Sequence, residues 1–185
     1  TELVNFFIFL ITFCPGKTGV FLRKSFLKIM FKELGKNFYS EIGLFITGHK
    51  NITIRNNCRF MRHSSINADK NSSIKIGDNL SVNYNVNINS CNHGYIEIGN
   101  DVLIGQNTVL RASDHKISDK NKKINEQNHS GGKIIIGNNV WIGSNCVILK
   151  NVKIEDNSVI GAGTVVSKNE VVVGNQQRFL KKMYN

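Results

Sequence analysis

With 185 residues, 41% of them hydrophobic, the chain is long enough for one domain with its own core. Its formal net charge of +11 suits anionic partners, but the Lys and Arg residues are scattered without an aromatic-basic stripe or a nucleic-acid motif, which argues against nucleic-acid binding. The four cysteines, Cys14, Cys58, Cys91 and Cys146, show no CxxC spacing and no close Cys/His set, so they read as reduced thiols of a cytoplasmic protein with no disulfide frame and no metal.

Residues 1–40 form an apolar and basic N-terminal segment read as helical. An apolar patch runs from Leu3 to Phe13. After Pro15-Gly16 comes an amphipathic stretch in which Arg23, Lys24, Lys28 and Lys32 are interleaved with Phe21, Leu22, Phe26, Leu27, Ile29 and Met30. The patch is shorter than the roughly 20 apolar residues of a bilayer span, and it lacks the basic flank and cleavage site of a secretory signal peptide. Two roles fit this segment. It can pack on an open end of the structure that follows, or lie on the anionic cytoplasmic face of a membrane as a peripheral contact.

Residues 41–174 carry a period of six. Ile54, Phe60 and Ile66 form one triplet, Ile76, Val82 and Ile88 a second, and Ile98, Ile104 and Leu110 a third. Ile136, Ile142, Ile148, Ile154, Ile160, Val166 and Val172 then follow without a break. A helix repeats every 3.6 residues and an amphipathic strand every two, so neither explains a strict six. With breaks only after each third hexad, three hexads make one turn of a triangular prism, each face contributing one inward aliphatic residue. The predicted fold is all-β: a parallel β-helix of about five coils, stacked at about the 4.8 Å strand spacing. Asn and Gly recur where the chain must turn, as in Gly77-Asp78-Asn79 and Gly137-Asn138-Asn139, because these residue types tolerate left-handed backbone geometry.

Between Leu110 and Ile136 the register fails, and residues 111–133 are read as a polar, flexible loop thrown out of the prism. It carries His115 and His129. Imidazole is the side chain best suited to take a proton near neutral pH, although a lone loop histidine is by itself a solvated bystander. Residues 175–185 close the chain as a short C-terminal cap.

The segment from Asn138 to Asn169, with VWIGSN and VIGAGTVVSK, together with the Asp114-His115 pair that opens the loop, resembles the hexapeptide-repeat acyltransferases. It is most similar to their maltose/galactoside acetyltransferase-like branch, which includes capsule and O-antigen O-acetyltransferases. The resemblance covers roughly Ile54 to Gly174 and implies left-handed coiling, a homotrimer with each site between two prisms, and acetyl-CoA as co-substrate. It implies His115 as catalytic base, with Asp114 and Glu126 both open as its orienting group, and gives His129 no role. It maps Trp141 to the thiol end of the cofactor groove and Gly143 and Ala162 to close approach by the pantetheine arm. Ser167 and Lys168 map to its nucleotide end, and Asn83, in Asn83-Tyr84-Asn85, to acceptor binding. A backbone N–H near Gly143 is the implied oxyanion donor.

Two features depart from that pattern. Gly174-Asn175 is followed by Gln176-Gln177 where the family often has a Gly-Asn-Pro-Ala-like turn, and the Arg that follows the loop histidine in the maltose and galactoside enzymes has no clear equivalent, Lys122 or Lys123 being the cation nearest its place. The activity so implied is acetyl transfer to a hydroxyl of a saccharide such as a capsule or O-antigen unit. An N-acetyltransferase acting on an amino sugar is the alternative, and a non-catalytic scaffold a further one. Carbonic anhydrases that share such a prism need converging His ligands, and His93, His115 and His129 are far apart in the sequence.

Overall fold

A computed structural model describes residues 2–167, 171–172 and 175–176. Two helices, α1 (Glu2–Phe13) and α2 (Gly16–Met30), precede a prism of three parallel sheets. Among the described residues the first and second faces have seven strands each and the third has six. The first face runs from Glu33–Leu34 to Val171–Val172, the second from Tyr39–Ser40 to Asn175–Gln176, and the third from Phe45–Thr47 to Val165–Val166.

The hexad residues become columns in register. On the first face Leu34 pairs with Ile54, and Ile76, Ile98, Ile136, Ile154 and Val172 follow in line. Phe60, Val82, Ile104, Ile142 and Ile160 stack on the second face, and Ile66, Ile88, Leu110, Ile148 and Val166 on the third. Apart from Leu34, which is partly buried, these residues are almost wholly buried, and each Ile or Leu withdrawn from water stabilises the fold by about 1.5–3 kcal/mol.

The corners explain the abundance of asparagine. Among the described residues thirteen other than glycine have positive φ, ten of them Asn, including Asn57 (φ 58), Asn79 (φ 61) and Asn145 (φ 57). Their amides form ladders up the prism: Asn37 donates to Asn57 (3.0 Å), Asn57 to Asn79 (2.9 Å) and Asn79 to Asp101 (2.8 Å). Another corner carries Asn85, Asn107 and Asn145 in the same way. Asn therefore supplies both the left-handed turn and a hydrogen bond between coils.

The prism begins earlier than the aliphatic repeat indicates. Residues 33–47 already form a full coil, whose first two strands lie in the stretch read as helical up to residue 40. Its central inward position is Ser40, buried but not aliphatic, so the hexad signal is silent there. The solenoid has about six turns, one more than the five read from the repeat. Of the C-terminal cap, Asn175–Gln176 pairs with Val159–Ile160, and residues 177–185 lie outside the described residues.

The helices close the open end of the prism, as one of their two expected roles requires. Leu27 of α2 packs against the core, and Phe31, Phe38 and Leu44 are buried beneath. Arg23, only 3% exposed, joins both helices to the first coil. Its Nε and Nη2 donate to the Ser40 carbonyl (3.1 and 3.0 Å) and its Nη1 to the Cys14 carbonyl (2.7 Å) and, at longer range, to Ile11 and Thr12. A cation at the carbonyl end of α1 is favoured by the helix dipole, and its desolvation is offset by these bonds. The four cysteines are free thiols. Burial pushes the Cys58 thiol up to about 11, and Cys146 is also raised by burial, which keeps both protonated.

Candidate active site

The polar insertion is an ordered arm. It leaves the third face after Val109–Arg111 and forms an antiparallel stem in which Ser113 pairs with Gly131, Asp114 with Ser130 and His115 with His129. The ladder extends through Lys116 N–H to the Asn128 carbonyl (2.9 Å) and Gly132 N–H to the Ala112 carbonyl (2.8 Å). Gln127 holds the outer part, its amide donating to the carbonyls of Asp119 (2.9 Å) and Lys122 (3.1 Å) and accepting from Asp119 N–H (3.0 Å). The flexible loop expected from its composition is thus replaced by a braced hairpin.

The hairpin sets His115 and His129 opposite one another, their ring centroids 4.0 Å apart. Sequence distance concealed this pairing. His115 is exposed and His129 half-buried, so His115 presents its imidazole outward against a second ring. The Asp114 carboxylate is paired with a lysine from the prism. Lys150 Nζ lies 3.4 Å from Asp114 Oδ2 and donates to the carbonyl (3.1 Å) and hydroxyl oxygens of Ser130. One buried ammonium group therefore grips both strands of the stem at the residues next to His115 and His129. Sequence reading passed over Lys150, which follows the strand Val147–Leu149 at a corner where earlier coils place Ala68, Ser90 and Ala112.

Gly131 and Gly132 allow the stem to lie this close. A Cβ on Gly131 would run into the backbone of Asn92 and His93, and one on Gly132 would meet Lys150 Cβ at 2.9 Å. The Asn92–His93 corner behind the stem is itself held by Asp69, which accepts from Asn92 N–H (2.6 Å), Ser72 Oγ (2.6 Å) and Asn71 N–H (3.1 Å). Burial works against the Asp69 carboxylate, but the bonds from Ser72, Asn92 and Asn71 outweigh it and hold the carboxyl below its ordinary range. A depressed carboxyl stabilises the fold above its unfolded pKa of about 4 and loses that contribution as the pH falls through the folded value. Thermal stability is expected to drop as the pH falls below about 5, and Asp69→Asn to flatten that slope in melting curves.

A second feature lies along the second face. Asn83, Tyr84, Leu103, Gly105, Trp141 and Met61 line a groove of about 370 Å³. Trp141 is 55% exposed, standing between Leu103 and Val159 in the strand ladder. Asn83 Oδ1 accepts from Tyr84 N–H (2.8 Å), which fixes its amide, and the Arg62 guanidinium lies 5.1 Å from the centre of the Tyr84 ring. A flat aromatic beside fixed polar groups is a surface suited to a sugar or a thioester arm.

At the corner beyond Trp141, Gly143 is stacked on Ala162 of the next coil. A Cβ on Gly143 would sit 2.6 Å from Ala162 N and 2.9 Å from its Cα, so packing alone requires glycine there. Gly143→Ala is expected to cost about 1–3 kcal/mol in urea unfolding, because only backbone is available to give way. The Gly143 N–H itself donates to the Ile160 carbonyl (2.8 Å), so an oxyanion donor near this corner would have to be another backbone N–H. Ser167 follows the last described third-face strand, Val165–Val166, and Lys168 lies outside the described residues.

The predicted site residues thus fall into two groups. Asn83 and Trp141 share one groove, with Gly143 and Ala162 at the adjoining corner. His115 stands on the arm at the corner joining the third face to the first, and it is not among the residues lining that groove. Among the described residues no three His, Cys, Asp or Glu side chains converge to hold a metal ion.

Residues 133–168 match the family described as bacterial transferase hexapeptide (six repeats). Over 146 residues the chain is 33% identical to the galactoside O-acetyltransferase of Escherichia coli strain K12, covering 79% of this chain and 59% of that protein. It therefore spans less than two thirds of that relative's length. A maltose O-acetyltransferase from Clostridium difficile 630 superposes with a TM-score of 0.62 at 26% identity, over 89% of this chain and 73% of that one. A galactoside acetyltransferase solved in complex with coenzyme A gives a TM-score of 0.59 at 28% identity, over 91% and 74%. Residues 133–168 thus carry the bacterial transferase hexapeptide repeat, and the likeness to galactoside and maltose O-acetyltransferases extends well beyond that segment.

Proposed function

We propose that this protein is an O-acetyltransferase that uses acetyl-CoA to acetylate a saccharide hydroxyl, with His115 as general base. The observation that carries the reading is His115 held outward on a braced arm, on a prism that also bears the Asn83–Trp141 groove. Likeness to galactoside and maltose acetyltransferases, one of them in complex with coenzyme A, supports the chemistry and the co-substrate. Trp141, Gly143, Ala162, Ser167 and Lys168 would line the cofactor's path, and Asn83 would hold the acceptor. A capsule or O-antigen unit is the acceptor class that suits this assignment.

In the reaction the acceptor oxygen attacks the thioester carbonyl while His115 takes its proton. The tetrahedral intermediate then collapses, the carbon–sulfur bond breaks, and the proton leaves with the coenzyme A thiol. No acyl-enzyme is required, so both substrates bind together before transfer. Because the arm and the groove occupy different edges of one prism, a complete site needs the arm of one copy over the groove of the next. A homotrimer, closed by threefold rotation, meets that need at three equivalent interfaces.

Free-thiol release from acetyl-CoA, measured with a panel of bacterial polysaccharides, tests this reading. Release that depends on one glycan is the expected result. Release only with amino sugars carrying a free amine would move the reaction to N-acetylation, and absence of coenzyme A binding would overturn the assignment.

A further inference from the structure

The cap made by α1 and α2 covers the prism with one surface and leaves another uncovered. On α1, Phe6, Phe7, Phe9, Leu10 and Phe13 are each between 46% and 56% exposed, and on α2 Phe21 is 69% and Ile29 85% exposed. Between the helices an apolar groove of about 420 Å³ is lined by Phe9, Leu10, Ile11, Phe13, Cys14 and Leu22. This much large apolar surface on one supersecondary unit marks an interaction site.

Charge identifies the occupant. Lys17, Phe21, Lys24 and Lys28 follow at helical spacing along the outer stripe of α2, opposite the side where Gly19 and Arg23 are buried. Through Lys32 the segment has five basic residues and one acidic residue, Glu2. A second copy docking through the same patch would set these lysines against one another. A surface of negative headgroups over hydrocarbon satisfies both halves of the patch, and no described helix is long and apolar enough to cross a membrane.

We propose that the α1–α2 pair docks the protein on an anionic phospholipid membrane, with the phenylalanines inserted at the headgroup boundary and Lys17, Lys24 and Lys28 among the phosphates. The inference is independent of acetyl transfer. Joined to it, it makes a lipid-linked saccharide the acceptor presented to the groove.

The test is cosedimentation of the full chain with vesicles of phosphatidylcholine alone and with one third phosphatidylglycerol, at low and high salt. The expected result is binding to the anionic vesicles that weakens with salt. Each lysine near such a surface contributes about fivefold, so neutralising Lys17, Lys24 and Lys28 to Gln lowers partitioning about a hundredfold. Phe9→Ser with Phe13→Ser weakens binding while leaving its salt dependence in place. These positions lie on the exposed surface, and an unchanged melting temperature shows that the cap is intact. Absence of binding, equal binding to neutral vesicles, or loss of self-association by light scattering in Phe21→Glu would overturn the proposal. Thiol release in vesicle-free buffer is read separately, so a failure of docking and a failure of acetyl transfer are distinguishable.

Discussion

His115→Ala is expected to lower acceptor-dependent thiol release by about 10²–10⁴ while leaving acetyl-CoA affinity within a few fold. The imidazole lies at the end of a two-stranded stem, exposed, with its ring against His129 rather than within the groove of Trp141. Its removal takes away the proton acceptor without opening the prism or altering the Gly143–Ala162 corner. The effect belongs in kcat, and equilibrium titration with coenzyme A is the control. A similar fall in cofactor affinity would mean that His115 binds rather than catalyses. A Gln at this position, which can hydrogen-bond but cannot accept the proton at neutral pH, should be no better than Ala.

The second large effect is expected at a residue that does not touch the reacting atoms. Lys150→Met keeps most of the buried stem but removes the ammonium group that ties Asp114 to Ser130. The ion pair joins a Lys side chain 7% exposed to an Asp side chain 30% exposed, so little of it is screened by solvent. Losing such a charge-assisted anchor costs about 2 kcal/mol, and a chain of this size should melt about 4–8 °C lower. The positioning role predicts more than lost stability. With the stem loosened, kcat should fall about 10- to 100-fold well below the melting temperature, with KM for acetyl-CoA little changed. Lys150→Arg, which keeps the charge, should recover part of the loss. A variant that melts early yet turns over normally in the cold would reduce Lys150 to a structural role.

The prism is legible in the sequence because a fixed period leaves the chain little choice. Once Ile54, Ile76, Ile98 and Ile136 are seen to occupy equivalent positions, the columns and their register follow. The first coil is not legible for the same reason in reverse. Ser40 occupies its central inward position, and what identifies it is its carbonyl, bound by Arg23 from a helix. Local patterning carries no record of that contact.

The arm shows a similar division. His115 stands out in the sequence through its neighbour Asp114 and through resemblance, whereas its support depends on residues distant along the chain. Gly131 and Gly132 read as loop flexibility, but they are the positions where a side chain would collide with the Asn92–His93 corner and with Lys150. Lys150 itself reads as an ordinary corner lysine, because its partners stand 20 residues away in Ser130 and further still in Asp114. The groove was legible as separate residues. That Asn83 and Trp141 share it follows from the stacking of coils, which places Leu103 beside both Ser81 and Trp141.

The central claim is that one copy supplies the base and the next supplies the groove, and mixing two inactive variants tests it most directly. His115→Ala retains the groove, and the double variant Asn83→Ala, Trp141→Ala retains the arm. After joint refolding at equal amounts, random trimers would have about a quarter of their interfaces with an intact arm over an intact groove. Thiol release near a quarter of the parent's rate, from two preparations each inactive alone, is the predicted result. No recovery, with mixed trimers shown to have formed, would contradict it and place the base and groove of each site within a single chain.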